Sequence, residues 1–443
     1  MSFFADKQTL DDLNISGRYN NKSIYRIFDN VITGGGRKLL EHMFRHPLTD
    51  ARAINERSSI FQYFGRQAIA LPFSDETFGV VETYLGSGIS GSMPATAWNV
   101  VSGRLLKTVI RDTRYDLLAA GVGKTIALLV AFRDFVYKLE ALGAYSPVRD
   151  DFEKIRTVFN DKRLQWLNEA ADLTQIPPLK LIKYDYQLRT GCQNEMKTLI
   201  DIIYAFDVYI AVSAVARTKQ FCYARAFPKH KNIIDISGLF HPSLEKPVSN
   251  DILFQPECNV AFLTGANMAG KSTFMKSFGI AVYLSHMGFP VAAEKMEFSV
   301  KDGLFSTINV PDSLEHGYSH FYAEVLRVKN VAEQVGESKD LVVIFDELFK
   351  GTNVKDAFDA TLAITAAFSE NTNCFFIISS HIIEVGEALK ERGGSYQFLY
   401  LPTIMEGNVP RYTYQLRTGI TSDRHGMVII ENEGLIALIR KRE

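Results

Sequence analysis

One nine-residue stretch constrains this chain more than any other. Gly265-Ala266-Asn267-Met268-Ala269-Gly270-Lys271-Ser272-Thr273 has the spacing G-x-x-x-x-G-K-[ST]. Before it, Val260-Ala261-Phe262-Leu263-Thr264 is a short apolar run of the kind that forms a buried strand; after it, Phe274, Met275, Phe278 and Ile280 recur at helical spacing. Phosphate chemistry needs that order. Glycines let backbone N–H groups wrap a phosphate, the helix N-terminus adds its positive end, Lys271 neutralises β/γ oxygens, and Ser272 is placed to hold Mg²⁺. A second Gly-Lys-Thr, at 123–125, is a decoy. Leu118 stands where the first glycine is required, and the surrounding pattern is that of an apolar helix.

Two later runs have the form of companion strands. Val342-Val343-Ile344-Phe345-Asp346-Glu347 is an apolar strand ending in two carboxylates. The first acid, Asp346, would approach Mg²⁺, directly or through water, and the second, Glu347, would orient and polarise an attacking water. Ile377-Ile378-Ser379-Ser380-His381 is a third strand with a polar end, and His381 is a candidate γ-phosphate sensor or water-positioning group. The other histidines lack metal-ligand spacing, so Mg²⁺ is the only metal expected.

The rest of the chain divides in texture. Residues 20–230 read mainly as helices, broken at Gly34-Gly35-Gly36, Pro47, Met93-Pro94, Ser146-Pro147 and Pro177-Pro178. The segment from 194 to about 225 predicts one long helix. From about 230, short apolar runs alternate with helical stretches, the pattern of a largely parallel sheet with flanking helices. The expected architecture is therefore a helical domain over 1–229 and an α/β phosphate-loop NTPase domain over 230–443.

Length and composition (443 residues, 47 % apolar, 22 % charged) suit a folded protein of two or three domains. Four cysteines without a Cys-x-x-Cys pair fit a reducing compartment. The start of the chain lacks an export signal. The apolar window 199–216 carries Asp201 and Asp207, and the stretch 117–132 is interrupted by Lys124 and reads as too short to span, so the expectation is a cytoplasmic protein without a membrane partner. The near-neutral total hides an asymmetry. Residues 1–240 hold 31 basic and 25 acidic side chains, a net of +6, and residues 241–443 hold 18 and 25, a net of −7. If nucleic acid is a partner, the first half is the expected contact.

These residues resemble the MutS family of DNA mismatch-repair ATPases, within the wider ABC-type ATPase group. The phosphate loop resembles TGPNMGGKST, with Asn267-Met268 the telling pair; Asp346-Glu347-Leu348-Phe349-Lys350-Gly351-Thr352-Asn353 resembles DELGRGTS; Ser319-His320-Phe321-Tyr322-Ala323-Glu324 resembles the signature STFMVE; and Ser380-His381 resembles the threonine–histidine switch. His241-Pro242, Asn250-Asp251-Ile252 and Asp312-Ser313-Leu314 fall in family order, as do the runs 33–40 and 207–216 of the helical part. Ala266, Ala269, Lys350 and His320 depart from the pattern. The core-like segment begins near residue 20, and no mismatch-reading wedge, connector domain or C-terminal dimerisation helix is found, so a short form is expected.

The resemblance implies an ATP- and Mg²⁺-dependent homodimer. Ser319 of one copy would reach the γ-phosphate bound by Lys271 of the other, and the resulting motion would pass along the 195–225 helix. It implies DNA, double-stranded or branched, as the partner, together with repair or recombination proteins. An ATP-switched scaffold that binds protein instead of DNA is the alternative. An ABC transport ATPase is a weaker one, since no Leu-Ser-Gly-Gly-Gln signature occurs.

Overall fold

A computed structural model of the chain describes residues 3–16, 23–87, 92–110, 113–141, 147–171, 173, 175–308, 320–406, 409–421 and 438–439. Every residue of the strand Val260–Gly265 is buried, as are those of Leu341–Phe345 and Phe375–Ser379. Near-continuous apolar strands are what a parallel sheet covered on both faces requires. They lie in a seven-stranded sheet in the order Phe4–Ala5, Gly303–Thr307, Leu341–Phe345, Phe375–Ser379, Val260–Gly265, Tyr396–Leu401, Arg417–Thr418. All neighbours are parallel except the last pair. Phe262, Phe345, Phe376 and Ile378 form its core with Val385 and Leu389 of a flanking helix. From Val260–Gly265 the chain leaves to one side and later returns to the other. The crevice at the C-terminal ends of such strands is where ligands bind in open α/β sheets. A four-stranded sheet of Arg225–Phe227, Lys295–Ser299, Ile234–Leu239 and Asn250–Phe254 completes the strand-rich part.

The chain folds as two compact units, and they do not follow a single cut at 229/230. One comprises residues 1–27, 44–58 and 215–443; the other comprises 28–43 and 59–214. Early segments join the sheet-bearing unit because they satisfy its backbone. Leu48 N–H donates to His286 O at 2.7 Å, Arg57 Nη1 to Met287 O at 3.0 Å, and Phe4–Ala5 supplies an edge strand. Sequence texture reports local pattern and misses such long-range pairing.

The second unit is helical, with Phe64, Phe78, Val122, Phe132, Phe152 and Phe206 in one apolar cluster. The apolar region after residue 93 forms two helices, Met93–Ile110 and Arg114–Ala141, and the 123–125 decoy lies inside the second. That helix has 28 residues, which corrects the expectation that its apolar stretch is too short to span. It and Gln193–Lys219 are, among the described residues, the two helices long and apolar enough to cross a membrane. Both contribute buried side chains to the helical core, Ile126 and Leu129 from one, Leu199 and Ile203 from the other. Asp207 is also buried, and its carboxylate accepts Thr33 N–H at 2.7 Å and Thr33 Oγ1–H at 2.6 Å. The long helix stops at Lys219, short of the expected 225. Gln220 turns left-handed at φ +56°, and Phe221 N–H closes onto Ala216 O at 2.9 Å, after which Cys222–Tyr223 pairs with Pro290–Val291.

Candidate nucleotide-binding site

The phosphate loop joins Val260–Gly265 to the helix Lys271–His286, the strand–loop–helix order its spacing predicts. Two glycines make the turn. Gly265 has φ +146° and Gly270 has φ +102°, and a Cβ on Gly270 would lie 3.1 Å from the Tyr414 ring. Met268 takes a left-handed φ of +69° without being glycine, and its side chain is exposed. Such a conformation costs a β-carbon-bearing residue about 1–2 kcal/mol.

Lys271 opens the helix and is buried, with Nζ donating to Gly265 O at 2.8 Å and Ala266 O at 3.2 Å. Burial holds its pKa below the ordinary lysine range, while the carboxylates of Glu347 and Asp346 pull the other way. Ser272 Oγ donates to Asp346 Oδ2 at 2.5 Å, and Ser379 Oγ donates to Asp346 Oδ1 at 2.6 Å. Asp346 thus sits between the phosphate loop and the third strand. Glu347 follows in a left-handed conformation, φ +58°, with its N–H on Ser379 Oγ at 2.9 Å. Its Oε1 accepts from His381 Nε2 at 2.5 Å. That hydrogen bond holds the Glu347 carboxyl below the usual carboxylate range, against the opposing effect of partial burial. Lys350 Nζ stands 3.9 Å from Glu347 Oε2.

The structure therefore brings Lys271, Ser272, Asp346, Glu347 and His381 together. Ser319 lies outside the described residues, as does Asp312-Ser313-Leu314. Ala266, Asn267, Met268, Gly270, Ser272, Thr273 and Glu347 line a cavity of about 540 Å³. Its far wall was not foreseen from sequence. Phe240, His241, Leu244, Val248 and Tyr414 make a largely apolar surface opposite the phosphate loop. Asn250 fixes one side of that wall. Its Nδ2 donates to Tyr414 O at 3.0 Å, and its Oδ1 accepts Leu416 N–H at 2.6 Å. No local motif marks Tyr414, because its place depends on a contact with a strand more than 150 residues earlier. Ser379 was visible only as a polar strand end; its role as the clamp on Asp346 needed the pairing of the two strands.

Fold and site together define an α/β domain whose strand–loop–helix turn lies at the end of a largely parallel sheet. Residues 261–441 match the family model described as MutS domain V. The chain is 24 % identical over 420 residues to "DNA mismatch repair protein MSH7" of Arabidopsis thaliana, covering 85 % of this chain and 37 % of that protein. It is 26 % identical over 318 residues to "DNA mismatch repair protein MutS" of Bacillus mycoides, covering 68 % and 35 %. It is 28 % identical over 257 residues to the protein of the same name from Fusobacterium nucleatum, covering 55 % and 28 %. Over residues 261–441 the chain is similar to MutS domain V, and it spans about a third of the length of these relatives.

Proposed function

We propose that this chain binds and hydrolyses ATP with Mg²⁺ at a site completed by a second copy, and that hydrolysis is coupled to engagement of DNA in repair or recombination. One observation carries the ATPase reading. A buried lysine, a serine bonded to Asp346 and a glutamate bonded to His381 line one cavity, and its size is in the range of small-molecule sites.

The donor set fits Mg²⁺. Ser272 Oγ and Asp346 Oδ2 are hard oxygen ligands already within 2.5 Å of one another. Among the described residues no group of three or more His, Cys, Asp or Glu forms a self-contained metal cage. Mg²⁺ commonly takes one or two protein oxygens and fills its shell with phosphate and water. When bound, it would neutralise phosphate charge. Lys271 and the backbone of the loop grip the β/γ oxygens, and the apolar wall of Phe240, Val248 and Tyr414 receives the base. Glu347, kept ionised by His381, orients the water and accepts hydrogen bonds from it. Ser319 of the partner copy is assigned to the γ-phosphate by family resemblance. DNA is assigned from the family, with support from the basic balance of residues 1–240.

Lys271→Ala is expected to lose nucleotide binding. Glu347→Gln is expected to retain ATP and to slow hydrolysis by about 10²-fold or more, read as phosphate release in single turnover. Glu347→Gln hydrolysing at the wild-type rate removes the glutamate from its role. Anisotropy titrations with homoduplex, mismatched and junction DNA at two salt concentrations test the DNA half. A protein scaffold is favoured if none of them binds with salt-dependent affinity or stimulates turnover.

A further inference from the structure

We propose that Arg327 is a positioning residue for Asp346, acting through the end of the strand Gly303–Thr307, and that the N-terminal segment 3–15 belongs to the nucleotide site's supporting machinery. This rests on the ATPase reading above. The argument begins at the edge of the main sheet. The short strand Phe4–Ala5 pairs with Gly303 and Leu304. Among the described residues, the strand Gly303–Thr307 has no backbone neighbour on that side beyond Leu304, although its other side stays paired as far as Thr307 opposite Phe345. Outward-facing backbone groups at Ser306 and Ile308 still need partners.

Side chains take over. Thr9 Oγ1 accepts Ser306 N–H at 2.9 Å, and Asp12 Oδ2 accepts Ile308 N–H at 2.8 Å and Ser306 Oγ–H at 3.1 Å. Arg327, on the helix His320–Gly336, supplies the remaining contacts. Its Nη2 donates to Ser306 O at 2.9 Å, and its Nε donates to Thr307 Oγ1 at 3.2 Å. The same guanidinium is forked on Asp6, through Nη1 to Oδ2 and Nη2 to Oδ1. Asp6 also caps the helix Lys7–Asp12 by accepting Thr9 N–H at 2.9 Å.

The inward side of this pinned strand end faces the chemistry. Thr307 O accepts the N–H of Asp346 at 3.0 Å. Asp346 is therefore held on its backbone by Thr307 and on its side chain by Ser272 and Ser379. A connected path runs from Asp6 through the Arg327 guanidinium to Thr307 Oγ1, and from the carbonyl of that same residue to the backbone N–H of Asp346, whose carboxylate is the one placed at Mg²⁺. Only a planar fork with several donors serves Asp6, Ser306 and Thr307 at once, so lysine is not equivalent here.

The test uses the full chain with Arg327→Ala, Arg327→Lys and Asp6→Asn, the last retaining a capping side chain while removing its charge. Three readouts are taken. They are hydrogen exchange of residues 341–347 in the nucleotide-free protein, binding of a fluorescent ATP analogue with EDTA and across a Mg²⁺ titration, and steady-state hydrolysis. Both arginine variants are expected to exchange 341–347 about tenfold faster, with 260–265 unchanged. Mg²⁺-free binding should stay within about twofold of wild type, while half-saturating Mg²⁺ rises several-fold and kcat falls about tenfold at little-changed KM. Asp6→Asn should show the same signature in smaller measure. Wild-type exchange and Mg²⁺ dependence in all three variants overturns the proposal, and so does a uniform rise in exchange across the whole sheet. If the wild-type chain neither binds nor splits ATP, the functional reading fails, whereas the exchange comparison still decides the link from Arg327 to Asp346.

Discussion

At the scale of single residues, the site concentrates unusual backbone. Met268, Glu347 and Phe349 all have positive φ without being glycine, and two of them flank the Leu348 that follows the carboxylate pair. Strain of this kind persists only where surrounding contacts over-determine it. Here the Ser379 hydroxyl on Glu347 N–H and the His381 ring on Glu347 Oε1 provide those contacts. Gly270 is different, because at φ +102° an added Cβ would also press on the Tyr414 ring. Gly270→Ala is expected to weaken ATP-analogue binding about tenfold, the equivalent of roughly 1–2 kcal/mol of left-handed strain. Met268→Gly, at an exposed position, is expected to bind at least as tightly as wild type. Equilibrium titration of both variants checks the contrast, and equal losses would show that loop conformation is not what limits binding.

At the scale of elements, the helix Lys271–His286 ends on a buried switchable group. His286 is fully buried, with Nδ1–H on Val282 O at 2.8 Å and Nε2 accepting Lys301 N–H at 2.9 Å. Only the neutral ring serves both partners. Burial pushes its pKa down to about 4, from an ordinary 6.5. The unfolded chain therefore binds the extra proton first, and the stability that His286 contributes is complete above pH 6.5 and drains away as pH falls toward 4. His286→Gln offers an acceptor without a titrating proton. Between pH 7.5 and 5, urea unfolding is expected to show wild type losing about 2 kcal/mol more than this variant. Parallel pH profiles would mean the imidazole titrates alike in both states. Elements also separate what sequence discloses from what it hides. The strands Val260–Gly265, Leu341–Phe345 and Phe375–Ser379 were legible because burial on both faces demands unbroken apolar runs. Lys271, Ser272, Asp346, Glu347 and His381 were legible because each sits at a strand or helix end with a fixed offset. The edge strand Phe4–Ala5 was not, since two residues carry no period and its partner lies about 300 positions away. Arg327 was hidden likewise, as its fork on Asp6 spans 321 positions.

At the scale of the whole molecule, the proposed site is incomplete in one chain, and that makes a quantitative demand. If Lys271 and Glu347 come from one copy and Ser319 from its partner, two defective proteins should repair one another. A dimer of Lys271→Ala with Ser319→Ala contains one site lacking both groups and one site with both intact. Each variant alone has no intact site. Random exchange of equal amounts gives half mixed dimers, each with one working site of two, so about a quarter of wild-type turnover is expected from the mixture. The measurement is phosphate release as the mixing ratio varies, which should peak at equal amounts. It separates a shared site from a self-sufficient one. Were Ser319 to act within its own chain, each site of the mixed dimer would lack one group, Lys271 in one and Ser319 in the other, and mixing would leave activity at the level of the separate variants. A Ser319→Ala protein that hydrolyses normally by itself would remove the serine from the site while leaving the assignments of Lys271, Asp346 and Glu347 to stand on their own geometry.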